Sequence, residues 1–165
     1  MAQIPFERLP NNGRLWIFAA DREYSEVEAR DLSLALTEFL TGWAAHGAQV
    51  DAAFELRYGR FILIGASDTA ANPSGCSIDA MTRFVRTIGE KYGIDFMSAP
   101  MVYYRNAKGV AMTERAQFKR LATEAAVTSE TIVFNNTLTE VGALRSGLWE
   151  VPAKQSWHGQ AFSLN

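Results

Sequence analysis

The hydrophobic pattern of the chain predicts buried strands separated by amphipathic segments. Residues 15–20 are apolar throughout and rich in aromatic side chains, which is typical of a strand covered on both faces and central in its sheet. Residues 53–58 alternate between apolar and polar, and residues 61–64 are apolar throughout. Gly59 and Arg60 separate these two segments, so we expect a tight hairpin that joins a half-exposed strand to a buried one.

A well-marked helix is predicted after the first strand. Ser25 and Glu28 have the spacing of a capping box, in which each side chain bonds the backbone N–H of the other residue. Apolar side chains follow near helical spacing as far as Trp43. Gly47 can adopt the left-handed conformation that ends a helix, so we expect the helix to end there, with His46 in its last turn.

A second helix and a fourth strand complete the pattern of the first hundred residues. Gly93 is expected to end this helix, whose apolar positions are Ile78, Met81, Val85, Ile88 and Tyr92. Residues 101–105 and 110–113 predict a further hairpin. The order β-α-β-β-α-β predicts an α+β protein with a ferredoxin-like split βαβ core, in which the first and third strands are inside an antiparallel sheet and the second and fourth are its edges.

The predicted organisation is one structural unit with two parts. Residues 1–105 form the ferredoxin-like core, and residues 106–165 form a C-terminal hairpin, helix and strand extension with an aromatic tail. The extension contains a predicted helix over residues 114–126 and a predicted strand over residues 131–134. We expect the tail to pack on the core.

Composition and charge narrow the classes of function. A net charge of −2, from 16 basic and 18 acidic residues, argues against nucleic-acid binding through a basic patch. No apolar run has the length of a membrane span, and the first residues lack the pattern of an export signal, so we expect a cytoplasmic protein. One cysteine and two histidines predict no cysteine-based zinc site, and no cofactor motif is present.

The only cysteine precedes the second predicted helix and is the first candidate for chemistry. Cys76 could act as a nucleophile if His46 or His158 served as its base, and a thiol beside a helix N-terminus is in a place that favours the thiolate. The predicted topology places His46 and Cys76 at the same edge of the sheet. The alternative is structural, with Cys76 a small buried residue at a tight turn and His46 bonded to a backbone carbonyl.

The same turn could instead bind an anion or a peptide. Ser74, Gly75 and Ser77 offer hydroxyl and backbone N–H groups to a phosphate, a carboxylate or an oxyanion. Simple capping of the helix by the serines is the structural alternative. Trp43 and Trp157 are predicted to contribute to a ligand pocket, although aromatic residues at this density also serve as core and tail contacts.

Four segments of the chain resemble those of a known family: residues 43–47 (WAAHG), 74–79 (SGCSID), 131–136 (TIVFNN) and 151–158 (VPAKQSWH). Together they are similar to short bacterial proteins of uncharacterised function that are commonly labelled "ABC transporter ATPase". The resemblance points again to His46, Cys76 and His158. ATP hydrolysis is the least favoured function, because the P-loop pattern and any Gly-Lys dipeptide are absent.

Two hypotheses about function follow from the sequence. The first is a binding or regulatory module that holds a small anion or a peptide at the turn from Ser74 to Ser77 and forms a homodimer through an edge strand. The second is a small cysteine-dependent enzyme, in which Cys76 is the nucleophile and a histidine is the base.

Overall fold

The computed structural model describes residues 4–67, 72–97 and 100–164, and it has a mixed α+β fold. Its contacts divide the chain into two compact units. The first unit comprises Met1–Met97 and Thr139–Gly142, and the second comprises Ser98–Leu138 and Ala143–Asn165. The predicted boundary after residue 105 therefore falls within the second unit.

The first unit contains a sheet, a small hairpin and two long helices. After a short 3-10 helix, Phe6–Arg8, its elements are β1 Arg14–Ala19, α1 Glu26–Gly42, β2 Ala44–Ala45, β3 Ala48–Gln49, β4 Ala52–Arg57, β5 Phe61–Ala66 and α2 Gly75–Tyr92. The sheet is antiparallel with the order β1-β5-β4, so β5 is central. The apolar segment 61–64, which was predicted to be the buried strand of the hairpin, lies in this central strand, and every residue of β5 is buried.

One face of this sheet packs against both helices. Alternate residues of β5 point to this face, since side chains alternate along a strand. The core that results is formed by Ile62 and Ile64 of β5, Leu32, Leu36 and Leu40 of α1, and Met81 and Val85 of α2. Burying each such side chain contributes about 1.5 to 3 kcal/mol, so this layer supplies much of the stability of the first unit.

The predicted turn between β4 and β5 is confirmed. Tyr58 and Gly59 have φ angles of 58° and 61°, and the N–H of Arg60 donates to the carbonyl of Arg57 at 3.1 Å. The register pairs Arg57 with Phe61, so three residues connect the strands, and positive φ at Tyr58 and Gly59 turns the chain tightly between them.

The end of α1 differs from the prediction. The capping box at its start is present, because Ser25 Oγ accepts from the N–H of Glu28 and the Glu28 carboxylate accepts from the N–H of Ser25. The helix ends at Gly42, however, and His46 and Gly47 form the turn between β2 and β3 with φ angles of 51° and 78°. Both residues tolerate this left-handed conformation, which suits a hairpin turn as well as a helix end.

The ferredoxin-like sheet is not confirmed, because its predicted fourth strand lies in another sheet. Residues 101–106 pair with strands of the second unit, so β1 is an edge of the first sheet and not a central strand. The segment 139–140 lies along the start of β1, on the side where the fourth strand was predicted. Leu15 donates to the carbonyl of Thr139 at 2.9 Å, and Arg14 forms a β-bridge with Glu140.

The second unit is built on a four-stranded antiparallel sheet. Its elements are β6 Met101–Asn106, β7 Gly109–Glu114, α3 Arg115–Thr123, β8 Ile132–Phe134, α4 Val141–Arg145, β9 Glu150–Pro152, a 3-10 helix Ala153–Gln155, and α5 Trp157–Ala161; the first two residues of α4 belong to the first unit. The strand order is β7-β6-β8-β9. Val102, Phe118, Val133 and Phe162 are among the buried residues of its core. Over the described residues, no helix is both long and apolar enough to cross a bilayer.

An ion pair joins the start of α1 to the end of α2. The two Nη atoms of Arg22 lie 2.8 and 3.0 Å from the Glu28 carboxylate oxygens, and Nη2 also donates to the carbonyl of Tyr92 at 2.6 Å. The same carboxylate accepts from the N–H of Ser25 at 2.8 Å in the capping box. These bonds, those to Arg22 foremost, lower the pKa of Glu28 to about 2. Glu28 therefore caps the N-terminus of α1, and Arg22, which it binds, caps the C-terminus of α2.

We expect protonation of Glu28 to destabilise the first unit. Because its folded-state pKa is about 2 and its ordinary value is 4.5, the ionised carboxylate contributes fully to stability above the ordinary value and loses this contribution as the pH falls towards 2. Glu28→Gln should therefore lower the free energy of unfolding at neutral pH, and its difference from the wild type should shrink on acidification. Urea unfolding across this pH range measures both effects.

Glu26→Gln is the matched control for this variant. Glu26 lies in the same first turn of α1, is exposed, and has no hydrogen-bond partner within the described part of the chain. Its substitution should change the free energy of unfolding less than Glu28→Gln does, because it removes only an interaction with the helix dipole and no hydrogen bond. A Glu28→Gln difference that does not change with pH would contradict the prediction.

Candidate functional site

The candidate site is the turn that leads into α2, which we call the Cys76 turn (residues 72–77). Ser74 is the N-cap residue: its Oγ accepts from the N–H of Ser77 at 3.3 Å, and Ser77 Oγ donates to the Ser74 carbonyl at 2.9 Å. Cys76 is exposed, and a Cβ added at Gly75 would meet nothing within 4 Å. The two serines thus cap the helix, and Gly75 and Cys76 form the open part of the turn. The alternative of a buried Cys76 is wrong.

Trp43 supports the turn from inside the first unit. It is 3% exposed, and its indole Nε1 donates to the carbonyl of Ser77 at 2.9 Å. Its ring also packs edge-on against Trp16, with the ring centres 6.0 Å apart. Trp43 therefore holds the first turn of α2 in position. Its predicted ligand contact stays a prediction.

Arg14 is a residue of this site that the sequence analysis did not identify. Its Nη1 donates to the carbonyl of Pro73 at 3.3 Å, and its guanidinium lies 5.0 Å from the centre of the Trp16 ring. Arg14 is the first residue of β1 and pairs with Ala66, the last residue of β5. Only the antiparallel pairing of β1 with β5 places Arg14 beside the loop that follows β5, so no local signal in the sequence identifies it.

His46 and Cys76 are on neighbouring elements but are not paired. The hairpin that carries His46 contacts α2 through β2. His46 is exposed at the tip of that hairpin, and among the described residues no hydrogen bond joins it to Cys76. The role of His46 as the base for this thiol therefore stays a prediction.

His158 lies in the core of the second unit. It is 1% exposed, its Nδ1 is 2.9 Å from Ser156 Oγ, and its ring stacks on Trp157 with the ring centres 3.8 Å apart. Burial lowers the pKa of His158 to about 4, and the positive charge of Arg115 acts in the same direction. The imidazole is therefore neutral at pH 7 and packed among groups of its own unit. Its role as a catalytic base stays a prediction that this environment does not favour.

Trp157 also belongs to the second unit. The Arg115 guanidinium lies 5.1 Å from the centre of its ring, and its indole N–H is buried without an acceptor among the described residues. The ring borders a polar cleft of about 350 Å³, whose other lining residues are Asn135, Thr137, Lys154, Gln155, Ser156 and Gln160. Trp157 thus lines a polar cleft of the second unit, and its predicted ligand contact stays a prediction.

Metal binding has no candidate site in residues 4–67, 72–97 and 100–164. No three His, Cys, Asp or Glu side chains of these residues are grouped so that they could hold a metal ion. What the Cys76 turn offers a ligand is therefore its own groups: an exposed thiol, backbone N–H groups and the nearby Arg14 guanidinium.

Comparison with known proteins identifies no relative: no family model, no curated protein and no solved structure matches the chain. The resemblance to the bacterial family described above accordingly stays a prediction. The function must be argued from the geometry of the chain itself.

We expect the His158 imidazole to stay neutral until the pH falls to about 4, as NMR titration of its ring protons can measure. In the unfolded chain it binds a proton near its ordinary pKa of 6.5, so the unfolded state holds more protons between these two values. The stability that the neutral His158 imidazole contributes is complete above pH 6.5 and is lost as the pH falls towards 4. His158→Phe should remove this part of the pH dependence, whereas substitution of the exposed His46 by Ala should leave it unchanged. A ring-proton midpoint near 6.5 for His158 would refute the prediction.

Proposed function

We propose that the protein is a binding module that holds a small anion, a phosphate or a carboxylate group, at the Cys76 turn. One observation carries this proposal. The first turn of an 18-residue helix is open at Gly75 and Cys76, contains no acidic residue, and has the Arg14 guanidinium beside it. This combination of backbone donors and a fixed cation suits a negatively charged group.

The start of α2 offers backbone hydrogen-bond donors to an anion. The first N–H groups of a helix have no acceptor within the helix, and the helix dipole makes this end partly positive. Ser74 already accepts from the N–H of Ser77, which leaves those of Gly75 and Cys76 for a ligand. The nearest acidic residue along α2 is Asp79, in the second turn. An anion would therefore add to the capping by Ser74 without displacing it.

Arg14 adds a positive charge to these backbone donors. Its side chain is held by the Pro73 carbonyl and by the face of Trp16, so its charge is fixed next to the turn. Trp43 fixes the turn itself through Ser77. A site whose donors are held in place before binding loses less conformational entropy when the ligand arrives.

Inorganic phosphate is the probe that tests this proposal. We expect phosphate to raise the melting temperature above that in chloride at equal ionic strength, and to shift the amide NMR signals of Gly75 and Cys76. Arg14→Gln should reduce both effects, because it removes the charge and keeps a polar side chain. Arg8→Gln is the matched control, since Arg8 is exposed in the first 3-10 helix and its loss should not change phosphate binding.

Two results would contradict the proposal. One is the absence of amide shifts at Gly75 and Cys76 when phosphate is in large excess. The other is an equal loss of stabilisation in the Arg14 and Arg8 variants, which would indicate a general response to charge and no specific site.

A second candidate, a small cysteine-dependent enzyme, is favoured by the exposure of Cys76 at the helix N-terminus. Such an enzyme needs a base within reach of the thiol; His46 has no hydrogen bond to Cys76 among the described residues, and His158 is packed in the core of the second unit. We therefore rank this function second. An exposed free thiol is also consistent with a reducing compartment, so the cytoplasmic location remains part of our proposal.

Iodoacetamide labelling separates the two candidates. Because Cys76 is exposed, we expect labelling in the folded protein, with the same dependence of rate on pH in the wild type, His46→Ala and His158→Ala. Mass spectrometry of the labelled protein measures the rate. A dependence that shifts when one histidine is removed would identify that histidine as the base and favour the enzyme.

A further inference from the structure

The outer face of α1 carries apolar residues that the core of the first unit does not use. Leu34 is 72% exposed and Val27 is 63% exposed, and residues seven positions apart lie on the same face of a helix. The inner face of α1 is already formed by Leu32, Leu36 and Leu40. The two side chains therefore leave apolar surface on the outer face of α1 that the first unit does not cover.

Leu34 stands between two clefts of the first unit. The first, of about 510 Å³, is bordered by α1 and by Leu56 of β4; its other lining residues are Ala29, Arg30, Ser33, Leu34 and Thr37. The second, of about 280 Å³, lies towards α2 and includes Glu38 and Lys91. A helix laid along α1 could place an apolar side chain in the first cleft while Leu34 enters a matching cleft on the other molecule.

Charged residues flank Leu34 symmetrically. Arg30 lies four positions before it and Glu38 four positions after it, both are exposed, and neither has an ion-pair partner in the described part of the chain. In an antiparallel pair of identical helices that cross at Leu34, residues at equal distances on either side of the crossing face each other. Arg30 of each copy then faces Glu38 of the other, and Val27 faces Thr41.

We infer that the outer face of α1 binds a second copy of this chain, in a symmetric antiparallel dimer that crosses at Leu34. The charges on this face are complementary to those of a second copy, because Leu34 is flanked four positions away by a base on one side and an acid on the other. Asp31 is the other acidic residue near the crossing, and its carboxylate accepts from Tyr92 Oη at 3.0 Å, which holds it towards α2 of its own copy. The contact differs from the edge-strand dimer predicted from the sequence.

Analytical ultracentrifugation of the full chain over a range of concentrations tests the dimer. We expect a reversible dimer for the wild type and a monomer for Leu34→Arg, since the substitution places two cations at the crossing. Leu148→Arg is the matched control: Leu148 is 50% exposed in the second unit, and its change should leave association intact. Circular dichroism should show both variants folded. A wild type that stays monomeric at every concentration would overturn the inference.

A charge swap tests the register. Arg30→Glu should weaken the dimer about tenfold by placing like charges opposite each other, and the double variant with Glu38→Arg should restore it, because the pairs re-form with reversed signs. A double variant as weak as the single one would overturn the proposed register.

A disulfide provides an independent test of the crossing point. Helices that pack about 8 to 10 Å apart bring the two Leu34 Cα atoms within disulfide range at the crossing. In a Cys76→Ser background, Leu34→Cys should form a covalent dimer on mild oxidation. Thr41→Cys is the control, because two copies of this residue would lie about 21 Å apart along the helices. Equal cross-linking of both variants would exclude the proposed geometry.

Discussion

The bonds between Arg22, Glu28 and the end of α2 constrain the relative position of the two helices, on which both the Cys76 turn and the outer face of α1 depend. They hold the N-terminus of α1 beside the C-terminus of α2. At the other end, Trp43, directly after α1, donates to the carbonyl of Ser77 in the first turn of α2. The two helices are therefore antiparallel and connected at both ends by hydrogen bonds. The Cys76 turn has a fixed position because it is part of this second connection, and α1 presents its outer face as a fixed surface for the same reason.

Local signals predicted the elements that depend on a few neighbouring residues. The capping box of Ser25 and Glu28, the left-handed cap at Gly93 and the hairpin before Arg60 are each determined within about four positions, so the sequence was sufficient to predict them. Contacts between distant residues determined what the sequence analysis missed. The first helix ends at Gly42, where Trp43 leaves the helix and donates a hydrogen bond to the carbonyl of Ser77. The predicted fourth strand lies in the second sheet, because Tyr104 pairs with Val133.

The candidate site was predicted in part for the same reason. Residue type and spacing were enough to find Cys76 and its capping serines, because a helix start is a local feature. Burial depends on contacts between distant residues, so the sequence could not show that Cys76 is exposed and that His158 is buried. Arg14 was missed because its contact with Pro73 joins residues 59 positions apart. Only the antiparallel pairing of β1 with β5 brings those positions together.

The arrangement around Cys76 favours binding over covalent chemistry on physical grounds. A thiol that reacts in a catalytic cycle needs a partner that takes and returns a proton, and such a partner has to lie within hydrogen-bond distance at some stage. Here the serine side chains are engaged in capping, the imidazole of His46 is at a hairpin tip, and that of His158 is neutral in another core. Besides the exposed thiol itself, the turn offers backbone donors and the guanidinium of Arg14. These groups attract and orient negative charge but transfer no proton at neutral pH, and this combination suits a binding site.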